Sequence, residues 1–174
     1  MEKLTSSVLI VLFLTISSLA LLVGANSYLT SNDPGLQGVL APDFTLVDLE
    51  GNPFQLSAFQ GRTVVVGFMA TWCSQCKKQI PQYEAMWNQL PEIVLISVDI
   101  DPRESEEVLR AYAREFPNAT WIWARDTANV GSAYNVWEVP TTVIINEQGH
   151  IMFEHAGLIS ASTIIAEVEQ VHNS

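Results

Sequence analysis

The sequence predicts an α/β sandwich whose mixed sheet is parallel in its middle. Three observations carry this. The stretches "RTVVVGFMA" (62–70) and "EIVLISVDI" (92–100) are continuous β-branched runs, the pattern of strands buried on both faces. Helical periodicity follows each of them. The chain then closes with a hairpin pattern and one more helix, an order that adds antiparallel strands to a parallel core.

Before the sandwich comes a segment of another kind. Residues 4–25 hold no charged side chain over 22 positions, enough for a helix across a hydrocarbon core about 30 Å thick. Lys3 precedes it, and no Lys or Arg follows within residues 26–38. The positive-inside rule therefore keeps the N-terminus in the cytoplasm and sends the remainder out. Small residues at Val23-Gly24-Ala25 offer the competing reading of a cleaved signal peptide. The length of the apolar run favours an uncleaved anchor. Residues 26–39, rich in Asn, Ser, Pro and Gly, read as a linker, and residues 40–174 as the globular domain.

Within that domain, "FTLVDLEGNPFQL" predicts two short strands around a turn at Glu50-Gly51-Asn52. After the first buried run, Ile80, Tyr83, Trp87 and Leu90 recur at helical spacing from Ser74 to Leu90, with Pro81 inside as an expected kink. "DPRESEEVLRAYAREF" predicts a helix capped by Asp101, with Pro102 at its first position and Glu104 closing a capping box. Its apolar face is Val108, Leu109, Tyr112, Ala113 and Phe116. "TWIWARD" is a third strand, and residues 129–135 are a short helix. "TTVIINEQGHIMFEHAG" is a hairpin turning near Gln148-Gly149, and from Ser160 a last helix buries Ile164, Ile165, Val168 and Val171.

A formal net charge of −11 argues against nucleic acid as a partner and against docking on an anionic membrane surface. The two cysteines, Cys73 and Cys76, are the whole complement of the chain. A cross-link over so short a loop stabilises little. Structural zinc needs about four ligands, and His150, His155 and His172 show no ligand spacing. No metal or other cofactor is therefore expected. The pair falls where a buried strand hands over to a helix. There the unpaired N–H groups and the helix dipole favour a thiolate, and Lys77 and Lys78 add positive charge. This makes Cys73, at the exposed end, the nucleophile, and Cys76 the resolving thiol of a redox pair. Pro140, opening the strand "TTVIIN", is a candidate cis-proline, and beside the cysteines Val139 would offer an extended edge to a substrate. Trp72 and Trp137 are the aromatic residues placed to flank such a site.

"WCSQC" after "VVVGFMAT", with "VPTTVIIN" about 65 residues on and "GHIMFEHAG" behind it, resembles the thioredoxin superfamily. The opening "APDFTLVDLEGNPFQLSAFQGRTVVV" is similar to the membrane-tethered thiol–disulfide oxidoreductases of the TlpA/ResA type, within the redoxin group. The resemblance implies a thioredoxin-like three-layer sandwich and Pro140 as the cis-proline. It further implies substrate contacts from Trp72, Val139 and Thr141, and an extracytoplasmic location. The partners it implies are thiols and disulfides of exported proteins and a membrane-bound electron donor, often in cytochrome c maturation.

Two positions depart from the family pattern. Gly67 stands where thioredoxins carry a buried Asp, and Gln79 where some ResA-like proteins carry Glu, which leaves Glu84 and Glu138 to be weighed as proton acceptors. A peroxiredoxin-like peroxidase is the alternative enzyme. The Pro-x-x-x-Thr-x-x-Cys pattern it needs is absent before either cysteine. A copper chaperone of the redoxin type is the alternative binding protein.

Overall fold

The computed structural model describes residues 37–172. The expected membrane anchor at 4–25, and the expected linker at 26–39 up to residue 36, lie outside the described residues. Among the described residues no helix is long and apolar enough to cross a membrane.

Strands β1 (Thr45–Val47) and β2 (Pro53–Gln55) form an antiparallel pair of their own, and a 3-10 turn follows at Leu56–Phe59. The main sheet holds β3 (Val64–Met69), β4 (Val94–Asp99), β5 (Ile122–Arg125), β6 (Thr141–Ile145) and β7 (Ile151–Ala156), in the order β5-β4-β3-β6-β7. β3 runs parallel to β4, and β4 to β5, whereas β6 is antiparallel to both β3 and β7. The mixed sheet with a parallel middle is the one expected. Every residue of β3, β4 and β6 is buried, which is why these strands read as unbroken apolar runs rather than alternating ones.

Each face of the sheet carries its own core. On one, Val65, Met69, Leu95 and Ile144 meet α1 (Ser74–Trp87), α2 (Glu106–Ala113) and α4 (Ala161–His172). On the other, Val66, Phe68, Ile96 and Val143 meet Phe44, Leu46 and Tyr134 beside the short α3 (Val130–Ala133). Trp121 and Trp123 stack with centroids 5.7 Å apart inside the first core.

Two boundaries differ from expectation. α1 continues through Pro81 but ends at Trp87, and the N–H groups of Gln89 and Leu90 both turn back to the Met86 carbonyl. α2 starts later than its acidic run suggests. Its cap is Ser105, whose hydroxyl accepts from Val108 N–H, not Asp101. Asp101 and Glu104 are drawn instead to the loop after β3, as described below. Val108, expected on the apolar face, is 44% exposed, while Leu109 and Tyr112 are buried.

Candidate active site

β3 stands between a parallel neighbour, β4, and an antiparallel one, β6. Its carboxyl end is thus a topological switch point, where the connections diverge and leave a crevice. Residues 70–72 leave β3 there, and Cys73 caps α1. The Cys76 N–H points at Cys73 Sγ, 3.0 Å away. The two sulfurs form a disulfide, with Cα atoms 5.2 Å apart. Cys76 is fully buried, whereas Cys73 retains 6% exposure. In the reduced protein the free N–H groups of this helix end favour the thiolate on Cys73. Lys77, expected to add positive charge, is paired with Glu115 at 2.5 Å, and Lys78 is exposed.

The opposite wall comes from the chain entering β6. The Val139–Pro140 bond is cis, and the Val139 carbonyl oxygen lies 3.4 Å from Cys73 Sγ. Register places Thr141 against Phe68 on β3. Thr141 is buried, and its hydroxyl donates to the Glu138 carbonyl at 2.7 Å. Between the walls opens a groove of about 390 Å³, lined among others by Trp72, Asp101, Pro102, Trp137 and Val139. Trp72 is 64% and Trp137 92% exposed. The Trp72 indole N–H donates to Asp101 Oδ2 at 2.7 Å, which fixes the ring at the groove edge. Arg103 holds the same carboxylate from the other side, and its hydrogen bonds keep Asp101 far below the usual carboxylate range.

The two departures from the family pattern have structural reasons. A Cβ on Gly67 would lie 2.6 Å from the Tyr83 ring. Tyr83 fills the room a larger side chain would need, and its hydroxyl pairs with Thr142 Oγ1 at 2.7 Å. Burial pushes that phenol well above its ordinary pKa. Gln79, 1% exposed, donates to the Ile159 carbonyl and accepts from the Ile159 N–H, at 3.1 and 2.9 Å. A neutral amide matches that backbone pair on both sides, and an ionised Glu would match one side only.

Of the carboxylates weighed for proton transfer, Glu84 is taken by Asn118 and Glu138 is exposed on the groove wall. The carboxyls drawn to the Cys73 loop are ones the sequence reading passed over or used as helix caps. Glu104 accepts from the Thr71 N–H at 2.9 Å and from the Thr71 hydroxyl. Asp99, 1% exposed, ends β4 beside Met69. Their signal was available in "VDIDPRES": three acidic residues at and just past the carboxyl end of a central strand, where α/β sheets place their sites. Among the described residues, no group of three or more His, Cys, Asp or Glu is placed to hold a metal ion.

Comparison with known proteins agrees with this architecture. The AhpC/TSA family model matches residues 38–154. The thioredoxin-like protein YneN of Bacillus subtilis is 32% identical over 142 residues, covering 79% of this chain and 83% of that protein. The thiol-disulfide oxidoreductase ResA of the same organism is 32% identical over 132 residues, 74% of this chain and 72% of its own. Among solved structures, the thioredoxin domain of a thiol-disulfide oxidoreductase from Bacteroides vulgatus superposes with a TM-score of 0.66 at 26% identity, covering 77% of this chain and 96% of that one. StoA of Bacillus subtilis gives 0.64 at 21% identity, covering 74% and 97%, and so shares the fold. A redox cysteine pair on a thioredoxin-like scaffold, with ResA among its relatives, marks the chain as a member of the AhpC/TSA family and a thiol–disulfide oxidoreductase of the ResA type.

Proposed function

We propose that this protein exchanges disulfides in exported proteins, acting outside the cytoplasm from a membrane tether, and that it serves as a reductase in cytochrome c maturation. The observation that carries the substrate reading is the asymmetry of the pair: Cys73 keeps a sliver of exposure and meets the Val139 carbonyl, whose residue lines the groove, while Cys76 is sealed. The Cys73 thiolate attacks a substrate disulfide, forms a mixed disulfide and expels one substrate thiolate. Cys76 loses its proton and attacks Cys73 Sγ, which closes the Cys73–Cys76 bond and releases the second substrate thiol. Two electrons pass to the substrate, and a membrane-bound dithiol donor returns them. Trp72 and Val139 flank the incoming chain, and Thr141 steadies the turn through Glu138. Pro140, which has no N–H, leaves that edge open.

The uncharged 22-residue segment and its flanking charges support the tether. The test of roles is trapping: Cys76→Ser is expected to accumulate mixed disulfides on Cys73, and Cys73→Ser to abolish exchange. Adducts mapping to Cys76 would reverse the assignment. For location, the mass of the mature N-terminus decides. An intact start in a carbonate-resistant membrane fraction supports the tether, whereas a soluble chain starting at Asn26 refutes it. A reduction potential for the pair near −270 mV fits a reductase, and one near −120 mV, on the scale of known couples, fits an oxidant.

A further inference from the structure

We propose that Asp99 and Glu104 form a carboxyl pair that shares one proton and, through the grip of Glu104 on Thr71, tunes how readily Cys73 gives up its own. The proposal rests on the thiol-exchange reading above and adds to it the groups that couple exchange to pH.

The geometry is specific. Asp99 is almost wholly buried, accepts from the Asp101 N–H through Oδ1, and leaves Oδ2 without any partner. Asp99 stands in register beside Met69, and Glu104 grips Thr71 two residues further along the same chain, so both carboxyls converge on one short stretch and the Glu104 charge acts on Asp99. A negative charge beside a buried carboxyl opposes the ionisation of that carboxyl, and a proton held by the pair supplies the donor that Asp99 lacks. Burial first, and then the Glu104 charge, push Asp99 up to about 7. Glu104 meanwhile holds Thr71 by backbone and hydroxyl, two residues before Cys73.

Two further buried atoms without partners lie around the same sheet end, the Tyr112 hydroxyl and Arg125 Nε. Arg125 is the register neighbour of Asp99 across β5. Tyr112 feels the charge of both Glu104 and Glu115, and is pushed up by burial. These three are the only buried side-chain polar atoms lacking a partner among the described residues. The three are thus a polar pocket in the sense of missing partners, with Asp99 and Arg125 side by side in the sheet.

The charged and titratable groups around the pair come from every side. Asp101 and Arg103 pair with each other in the loop. Tyr112 and Glu115 belong to α2 and its end, Arg125 to β5, and Lys77 on α1 is bound to Glu115. None of these supplies the missing donor to Asp99 Oδ2. When the pair gives up its proton it gains one negative charge beside the loop that carries Cys73, and that charge opposes the thiolate.

The experiment follows the ionisation of Cys73 in the reduced protein by alkylation rate against pH. The wild type is expected to show a curve broader than a single group, because thiol and pair titrate together. Asp99→Asn and Glu104→Gln should each contract it to a single-group curve with a midpoint lower by about half to one unit, roughly three- to tenfold in thiolate at a given pH. An identical curve in the wild type and both variants overturns the proposal. So that a variant that fails to fold does not blunt the test, the wild type is also followed by carbon NMR of its side-chain carboxyls. One carboxyl titrating near pH 7 supports the pair; all of them finishing below about pH 5.5 refutes it. Glutathione disulfide separates the two levels of the argument: if the reduced protein fails to react with it, the oxidoreductase reading falls, whatever the shape of the curves.

Discussion

Two regions bury polar groups near the cysteines, and they do so in opposite ways. Beneath α1, at its seam with β3, β6 and the entry to α4, every buried polar atom is answered. Gln79 closes on both sides of the Ile159 backbone, Tyr83 meets Thr142, and Gly67 keeps clear of the ring. At the ends of β4 and β5 beside α2, Asp99, Tyr112 and Arg125 each leave an atom without a partner. A satisfied network rigidifies a core, whereas a half-satisfied one lowers stability and survives where another role keeps it. The seam therefore fixes the position of Cys76, and the pocket adjusts the chemistry of Cys73.

Substitutions should separate the two regions by size and by pH dependence. The largest loss is expected from Gly67→Ala, whose Cβ would overlap the Tyr83 ring. Urea unfolding should show about 3 kcal/mol of destabilisation, and an unchanged midpoint would mean that Tyr83 does not fill that space. Gln79→Leu, which leaves the Ile159 N–H and carbonyl unpaired, should cost about 2 kcal/mol at every pH. A loss confined to one end of the pH range would show that ionisable groups, not the amide clamp, set the seam.

The pocket should behave differently. Asp99 has a folded-state pKa of about 7, raised from 3.8. The folded state thus binds an extra proton between these values, and stability falls as pH rises from about 4 to about 7. Asp99→Asn should flatten that slope, so the variant gains on the wild type as pH rises. Parallel stability curves for the two proteins would place no raised carboxyl there. The smallest effect is expected from Tyr112→Phe, which removes a hydroxyl without a partner and should change stability by less than about 0.5 kcal/mol. A larger loss would reveal a partner for that hydroxyl and shrink the pocket.

Much of the scaffold was legible in the sequence because it follows from local pattern. β3 and β4 read as buried runs, the turn at Gly149 follows from a residue that tolerates its φ of +85°, and the cysteines sit at a strand-to-helix junction. What was misread depends on contacts across the chain. Asp101 and Glu104 look like a cap and a capping-box partner, yet Trp72, Arg103 and Thr71 claim them, and the capping falls to Ser105. Gly67 reads as a lost carboxylate, and only the placement of Tyr83, sixteen residues later, shows that there is no room for one. Asp99 draws no notice inside "EIVLISVDI", because nothing local tells a solvated aspartate from a buried one.

The two halves of the site lie at very different distances along the chain. The cysteines are three residues apart, and the Val139 carbonyl beside Cys73 is 66 residues away. Closing so short a loop needs no folded domain, whereas the Val139 edge arrives only with the long-range pairing of β3 and β6. An oxidised cysteine pair is therefore no certificate of native structure. A chain still unfolded is free to cycle between dithiol and disulfide without the groove beside Val139. Preparations scored by thiol counting alone would then mix competent molecules with indiscriminate ones. The near-ultraviolet signal of the stacked Trp121 and Trp123, which exists only once the core has closed, is the measure of how much of the sample can choose its substrate.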